Sequence, residues 1–247
     1  MKKIVAVSLR RVPCAFTLIE LLTVIAIIGI LAAMILSALG PAKTRALKTM
    51  ALTEEHGLVA AITTYQADYS RLPASRNAAA AAGTNDFTFG TVSNTPNGGG
   101  QFSLPAVDTP GETTYQNYNS EVIAILRDDN FWPEAANGAQ HIYNPRQTPP
   151  YGGKIALNTN SPGIGPDDIL RDPWGSPYII TMDLNYDHKC YDATLDGLYQ
   201  LENPKPNGPL LIPGEAMVWS FGPLKTINLG QALNSASTNK QTIAFSF

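Results

Sequence analysis

The chain has 247 residues, of which 44% are apolar and only 15% charged, with 20 Gly and 19 Pro. That composition excludes a wholly disordered protein, which goes with high charge and few aromatics, and the lack of a G-X-Y period excludes collagen. The net charge of -3 gives a generic nucleic-acid binder no electrostatic support.

The average hides an asymmetry. Residues 1–15 carry Lys2, Lys3, Arg10 and Arg11 and no acid, which leaves 13 basic and 20 acidic side chains for the rest. The two cysteines fall on either side of this boundary, Cys14 in the basic leader and Cys190 far downstream. Loss of the leader leaves one cysteine, so neither an internal disulfide nor a cysteine-based zinc site is expected. Arg11-Val12-Pro13 before Cys14, with the apolar run after it, argues against a lipoprotein.

The stretch from Phe16 to Leu39 has 24 residues and a single charge, Glu20. As a helix it extends roughly 36 Å, enough for a hydrocarbon core of about 30 Å. The basic leader places the amino terminus in the cytoplasm and sends the acidic body across. A cleaved secretory signal fits less well. Leu36-Ser37-Ala38 is a poor small-x-small site, and the run exceeds the usual h-region of about 7 to 15 residues. A plain anchor leaves Glu20 unexplained, because an acid in a membrane helix costs on the order of a few kcal/mol without a partner.

The residues Ala15-Phe16-Thr17-Leu18-Ile19-Glu20-Leu21-Leu22, followed by Val24 to Ala33, resemble the class III signal of type IV pilins and type II secretion pseudopilins. The resemblance is nearly continuous over about 20 residues. It implies cleavage between Ala15 and Phe16 by a prepilin peptidase, N-methylation of Phe16 and retention of the helix. It also implies that Glu20 neutralises the amine of a neighbouring subunit during assembly. Chemistry agrees, since Glu20 lies one helical turn from that amine and an unpaired charge is costly in an apolar setting. The family usually has glycine before the cut, where this chain has Ala15.

The resemblance further implies a single-pass protein of the bacterial inner membrane with a cytoplasmic amino terminus and a periplasmic head. The implied partners are like subunits in a homopolymeric filament, the inner-membrane secretion platform and minor pseudopilins.

Beyond Leu39, the apolar residues Leu47, Met50, Leu58, Ile62, Tyr65 and Tyr69 follow helical spacing, with Glu54 interrupting the stripe. Leu72-Pro73 ends the pattern, and Gly40-Pro41 predicts a kink or local unwinding. The expected layout is a leader over 1–15, a transmembrane assembly helix over 16–39, an amphipathic stem over 40–73 and a loop-rich head over 74–247. Within the head, 74–119 reads as an exposed low-complexity insertion, with short strands at best near Phe87-Phe89 and Gln101-Leu104. A short helix is expected from Ser120 to Asp129, capped by Asn119 or Ser120.

The segment Asp172-Pro173-Trp174-Gly175-Ser176-Pro177-Tyr178 is the second specific signal. It reads as a turn that delivers a strand, with Trp174 and Tyr178 pinning it to the core. It resembles the D-P-W-G-x-P-Y motif of the major, G-type pseudopilin. A strand over Tyr178–Leu184 is expected to form a hairpin with Lys189–Tyr191. A third strand follows at Ala216–Phe221. The fold class is α+β, a long helix packed against a small antiparallel sheet over about 175–222, pilin-like.

Asp183-x-Asn185-x-Asp187 resembles the opening of a calcium loop. His188 stands where such a loop wants glycine, and Thr194 where it wants a bidentate acid, so an EF-hand is not expected. The family resemblance implies calcium in a loop after the last strand, but Gly222 to Thr226 contains no acid. Asp183, Asn185 and Asp187, with Asp192, are the candidate calcium ligands, beside the simpler reading of a polar turn. His141 and His188 are isolated in sequence.

The chain lacks G-x-S-x-G, H-E-x-x-H and Walker patterns, so no enzyme is expected. The expected function is that of a pseudopilus subunit supporting protein secretion. The alternatives are a type IV pilin or minor pseudopilin and, from another class, a membrane-tethered exported enzyme or binding module. A DNA-uptake pilin is disfavoured by the acidic body.

Overall fold

The computed structural model describes residues 17–90, 92–93, 102–103, 118–129, 141–192, 195–196, 208–224 and 244–245. The first helix, α1, covers Leu18–Tyr69. The chain divides into two compact units, Met1–Arg45 and Ala46–Phe247, so α1 contributes to both.

In the first unit, every large apolar side chain from Leu18 to Leu39 is exposed. Leucine and alanine favour the helix, and the β-branched isoleucines are tolerated in an apolar setting, where helix is the backbone's way to satisfy itself. The expected unwinding at Gly40-Pro41 does not occur, and α1 continues through both residues. Pro41 removes one backbone donor. The neighbouring hydroxyls stay within the helix, Thr44 Oγ1 donating to the Gly40 carbonyl at 3.3 Å and Ser37 Oγ to Met34 at 2.8 Å. At the other end, Ser70 takes a left-handed φ of 53° and donates its N–H to the Gln66 carbonyl. Pro73 soon after forbids further helix.

In the second unit, α1 buries Ala51, Glu55, Leu58, Ala61, Ile62 and Tyr65, one stripe at helical spacing. Of the expected stripe, Leu58, Ile62 and Tyr65 are buried and Leu47 and Tyr69 partly so. Met50 is exposed, and Ala51 occupies the inward position instead. The stripe meets a four-stranded antiparallel sheet ordered β1 (Phe87–Phe89), β6 (Ile179–Met182), β9 (Ala216–Ser220), β10 (Ala244–Phe245). Alternation sorts the sheet's side chains. Phe87, Phe89, Ile180, Met182 and Val218 join Leu58, Ile62 and Tyr65 in one core. Ile179, Met217 and Trp219 join Cys190, Leu195 and Phe221 in a second. The arrangement is α+β, in keeping with the pilin-like layout.

Three short two-stranded sheets complete the described strands: β2 (Val92–Ser93) with β3 (Phe102–Ser103), β4 (Gly163–Ile164) with β5 (Leu170–Arg171), and β7 (Lys189–Tyr191) with β8 (Leu211–Pro213). Two expectations are corrected here. The hairpin between Tyr178–Leu184 and Lys189–Tyr191 does not form, because β6 is paired on both sides by β1 and β9 and β7 pairs with β8. The segment read as an exposed insertion contains a strand of the main sheet, with Phe87 and Phe89 fully buried. The sheet therefore reaches well outside 175–222.

The alanine run also folds, as α2 (Arg76–Ala82), whose N-cap Ser75 accepts the Ala78 N–H at 3.1 Å. Ala78 and Ala82 are buried, their small side chains letting the helix approach the core. Helix α3 (Ser120–Arg127) appears as expected. Asn119 does not cap it with its side chain. Its amide instead donates to the Leu170 and Tyr178 carbonyls at 2.8 and 2.9 Å and accepts the Leu170 N–H at 3.0 Å. One amide thus ties the start of α3 to β5 and to the residue preceding β6.

Candidate functional site

Ala15 and Phe16, the expected cleavage and methylation positions, lie outside the described residues. The helix they lead into begins with a capping box. Thr17 Oγ1 accepts the Glu20 N–H at 3.3 Å, while Glu20 Oε2 accepts the Thr17 N–H at 2.8 Å and the Thr17 hydroxyl at 2.7 Å. The pattern T-x-x-E satisfies otherwise orphaned helix-start donors, and the carboxylate favours the positive end of the helix. Glu20 therefore has partners within its own first turn, and this was legible in the Thr17-Leu18-Ile19-Glu20 spacing. Both residues are exposed, on a helix that is apolar from Leu21 to Leu39 except for Thr23 and Ser37. Among the described residues, α1 is the one helix long and apolar enough to cross a membrane.

The second signal resolves into a turn built on an aspartate. Asp172 is fully buried, and its Oδ1 accepts the N–H groups of Trp174 at 2.9 Å and Ser176 at 2.8 Å. Its Oδ2 accepts the Ser220 hydroxyl at 2.5 Å, tying the turn to β9. Gly175 has a φ of 91°, which a side chain would strain. Burial raises the Asp172 carboxyl to about 6, against the pull of these donors. The expectation for the aromatics was half right. Tyr178 is fully buried, whereas Trp174 is only half-buried.

Tyr178 links the turn to α1 by donating its hydroxyl to Glu54 Oε2 at 2.6 Å. Next to Glu54, Glu55 is fully buried, and neither carboxylate oxygen has a hydrogen-bond partner among the described residues. Burial, then the neighbouring Asp172 and Glu54 charges, push the Glu55 carboxyl up to about 9. It is therefore neutral in the folded head at neutral pH. The helical stripe flagged Glu54 as the interruption, but the chain buries its neighbour instead. Glu54 and Glu55 lie four and three residues before Leu58, so helical spacing alone does not choose between them.

The calcium candidates do come together in one turn, and the turn uses them itself. Asp183 Oδ1 accepts the Asp187 N–H at 3.1 Å and Oδ2 the His188 N–H at 2.7 Å. Asn185 Oδ1 accepts the Asp187 N–H at 2.9 Å, and Asp187 Oδ1 the Lys189 N–H at 3.0 Å. The Asn185 and Asp187 bonds are Asx turns and Asp183 closes the loop from four and five residues back, the polar-turn reading. Three such side chains fall short of the six to eight oxygens calcium takes. Asp192 lies elsewhere, accepting Thr181 Oγ1 and Trp219 Nε1 at 3.1 and 2.9 Å beneath the second core.

The structure adds residues that sequence spacing did not connect. His188 Nδ1 lies 3.0 Å from Glu215 Oε1. His141 Nδ1 lies 2.7 Å from Asp128 Oδ2. Neither pair is visible in a linear reading, because each partner arrives from a separate element.

Residues 10–36 match the family described as the prokaryotic N-terminal methylation motif. The match covers the leader's end, Ala15, Phe16, Glu20 and most of the apolar run, so the chain carries a prepilin-type signal of the kind a prepilin peptidase processes, on a membrane-anchoring helix. No curated protein and no solved structure matches the chain.

Proposed function

We propose that this chain is the structural subunit of a type II secretion pseudopilus. In this reading, a prepilin peptidase cuts between Ala15 and Phe16 and methylates the new amine. The mature chain sits in the bacterial inner membrane with its head in the periplasm until it is drawn into the filament. Its partners are like subunits, the secretion platform and minor pseudopilins. Function lies in polymerisation, with no catalytic step and no nucleic acid.

The observation that carries the reading is the exposed apolar helix bearing Glu20 at its start. Fourteen large apolar side chains between Leu18 and Leu39 are exposed. Such a surface is stable only in lipid or against other copies. Heterologous packing of identical stems generates a filament without a catalytic site. Glu20 keeps its charge acceptable through Thr17 before assembly and offers it to a neighbour's amine in the filament. The turn at Asp172 favours the pseudopilin over a type IV pilin, through its resemblance to the D-P-W-G-x-P-Y motif.

The test is Glu20→Ala in cells that assemble the filament. Membrane insertion is expected to stay normal while sheared filaments lose the subunit. Normal incorporation of the variant would refute the assembly role.

A further inference from the structure

The row of residues that closes the main sheet carries carboxylates on three adjacent strands. Phe87 pairs with Met182, and Met182 with Ala216. One step outward, the same register places Asp86 across from Asp183 and Asp183 across from Glu215, whose carbonyl accepts the Asp183 N–H at 3.1 Å. Like charges at facing positions of neighbouring strands are destabilising. No Lys or Arg forms an ion pair with any of the three among the described residues. Asp86 and Asp183 are buried. One oxygen of Asp86 accepts the Tyr191 N–H at 2.7 Å, while the other is buried with no partner among the described residues.

His188 completes the group. Coordinating atoms of Asp183, His188 and Glu215 lie within 4.8 Å of one another. The 3.0 Å contact between His188 Nδ1 and Glu215 Oε1 is close to the roughly 3.4 Å that separates two ligands on a tetrahedral zinc with bonds of about 2.0–2.1 Å. The Asp183 carboxylate is already oriented by the Asp187 and His188 N–H groups, as ligating carboxylates are by their outer partners. Glu215 is held on its other oxygen by Gln66 Nε2 at 2.7 Å.

We propose that Asp183, His188 and Glu215 bind a divalent transition-metal ion of the zinc class. A metal-bound water then supplies a donor to the free oxygen of Asp86. One imidazole and two carboxylates suit zinc and its neighbours, whereas calcium wants many more oxygens. The ion neutralises the acidic row and clamps the 183–188 turn to the β8–β9 connection.

The test titrates Zn2+, Co2+ and Ca2+ separately into the detergent-solubilised full chain. It carries Cys14→Ser, so that the leader thiol does not compete. Calorimetry is expected to show one saturable Zn2+ site per chain, and Co2+ to give the intense visible bands of tetrahedral coordination. His188→Ala should weaken Zn2+ binding at least tenfold while lowering the metal-free unfolding midpoint only slightly, because His188 is exposed and loses a single surface contact with Glu215. Should His188→Ala fail to fold, His188→Gln carries the same expectation. No saturable Zn2+ binding, binding of Ca2+ alone, or unchanged Zn2+ affinity in the His188 variant each overturn the proposal.

Discussion

Replacing Glu55 with glutamine is expected to stabilise the head, and to do so more as pH rises. Glu55 is fully buried with both oxygens unpartnered, and its carboxyl is raised from 4.5 to about 9. The unfolded chain ionises near 4.5, so between that pH and about 9 folding takes up a proton. Stability from this group is complete below pH 4.5 and is lost as pH climbs toward the folded value. The slope is about 1.4 kcal/mol per unit. At pH 7.5, three units above 4.5, the ceiling on the loss is about 4 kcal/mol. Glutamine does not titrate, but its buried amide also lacks partners, so the net gain expected is about 2 to 4 kcal/mol.

Urea unfolding of the detergent-solubilised chain, followed by tryptophan fluorescence, measures this, since Trp219 is fully buried. The difference between wild type and Glu55→Gln isolates Glu55, because Asp86, at about 7, and Asp172, at about 6, titrate alike in both chains. From pH 7 to 9 wild type should lose stability more steeply than Glu55→Gln, by up to about 1.4 kcal/mol per unit. Equal slopes, or a variant less stable than wild type at pH 8, would refute the reasoning.

Asp172→Ala should cost about 2 to 4 kcal/mol, since it strands buried donors from Trp174, Ser176 and Ser220. Asp172→Asn should cost under about 1.5 kcal/mol, because the amide can still accept from the turn and donate to Ser220; the same unfolding curves separate the two. Gly90→Ala should lower soluble yield and thermal midpoint severely. Gly90 has a φ of 85°, and an added Cβ would lie 2.1 Å from the Tyr178 carbonyl oxygen. Leu58→Ala is expected to cost about 2 to 5 kcal/mol through the cavity it leaves in the first core, read as a shift in urea midpoint at unchanged slope.

How much was legible follows the range of each signal. The membrane helix, Glu20 and the Asp172 turn depend on residues within a few positions of each other, and spacing displayed them. The stem's inward face was legible at Leu58, Ile62 and Tyr65 but not at Ala51 and Glu55, because an alanine and an acid do not look apolar. The short strand at Phe87–Phe89 was legible but its burial was not, because the composition of its flanks reads as exposed, although three residues suffice to add a strand beside β6. The wrong hairpin followed from choosing the nearest partner for β6. Its actual partners lie about 90 and 40 residues away in sequence, and non-local pairing leaves no mark in a local pattern. The same limit hid the Asp86–Asp183–Glu215 row, since its members share a register position and no motif.

The most direct test of the central claim is the intact mass and amino-terminal peptide mass of the protein from its native membranes. A mature chain beginning at Phe16, with one added methyl, is the predicted result. A chain still beginning at Met1, or one beginning near Leu39 after secretory cleavage, would contradict it.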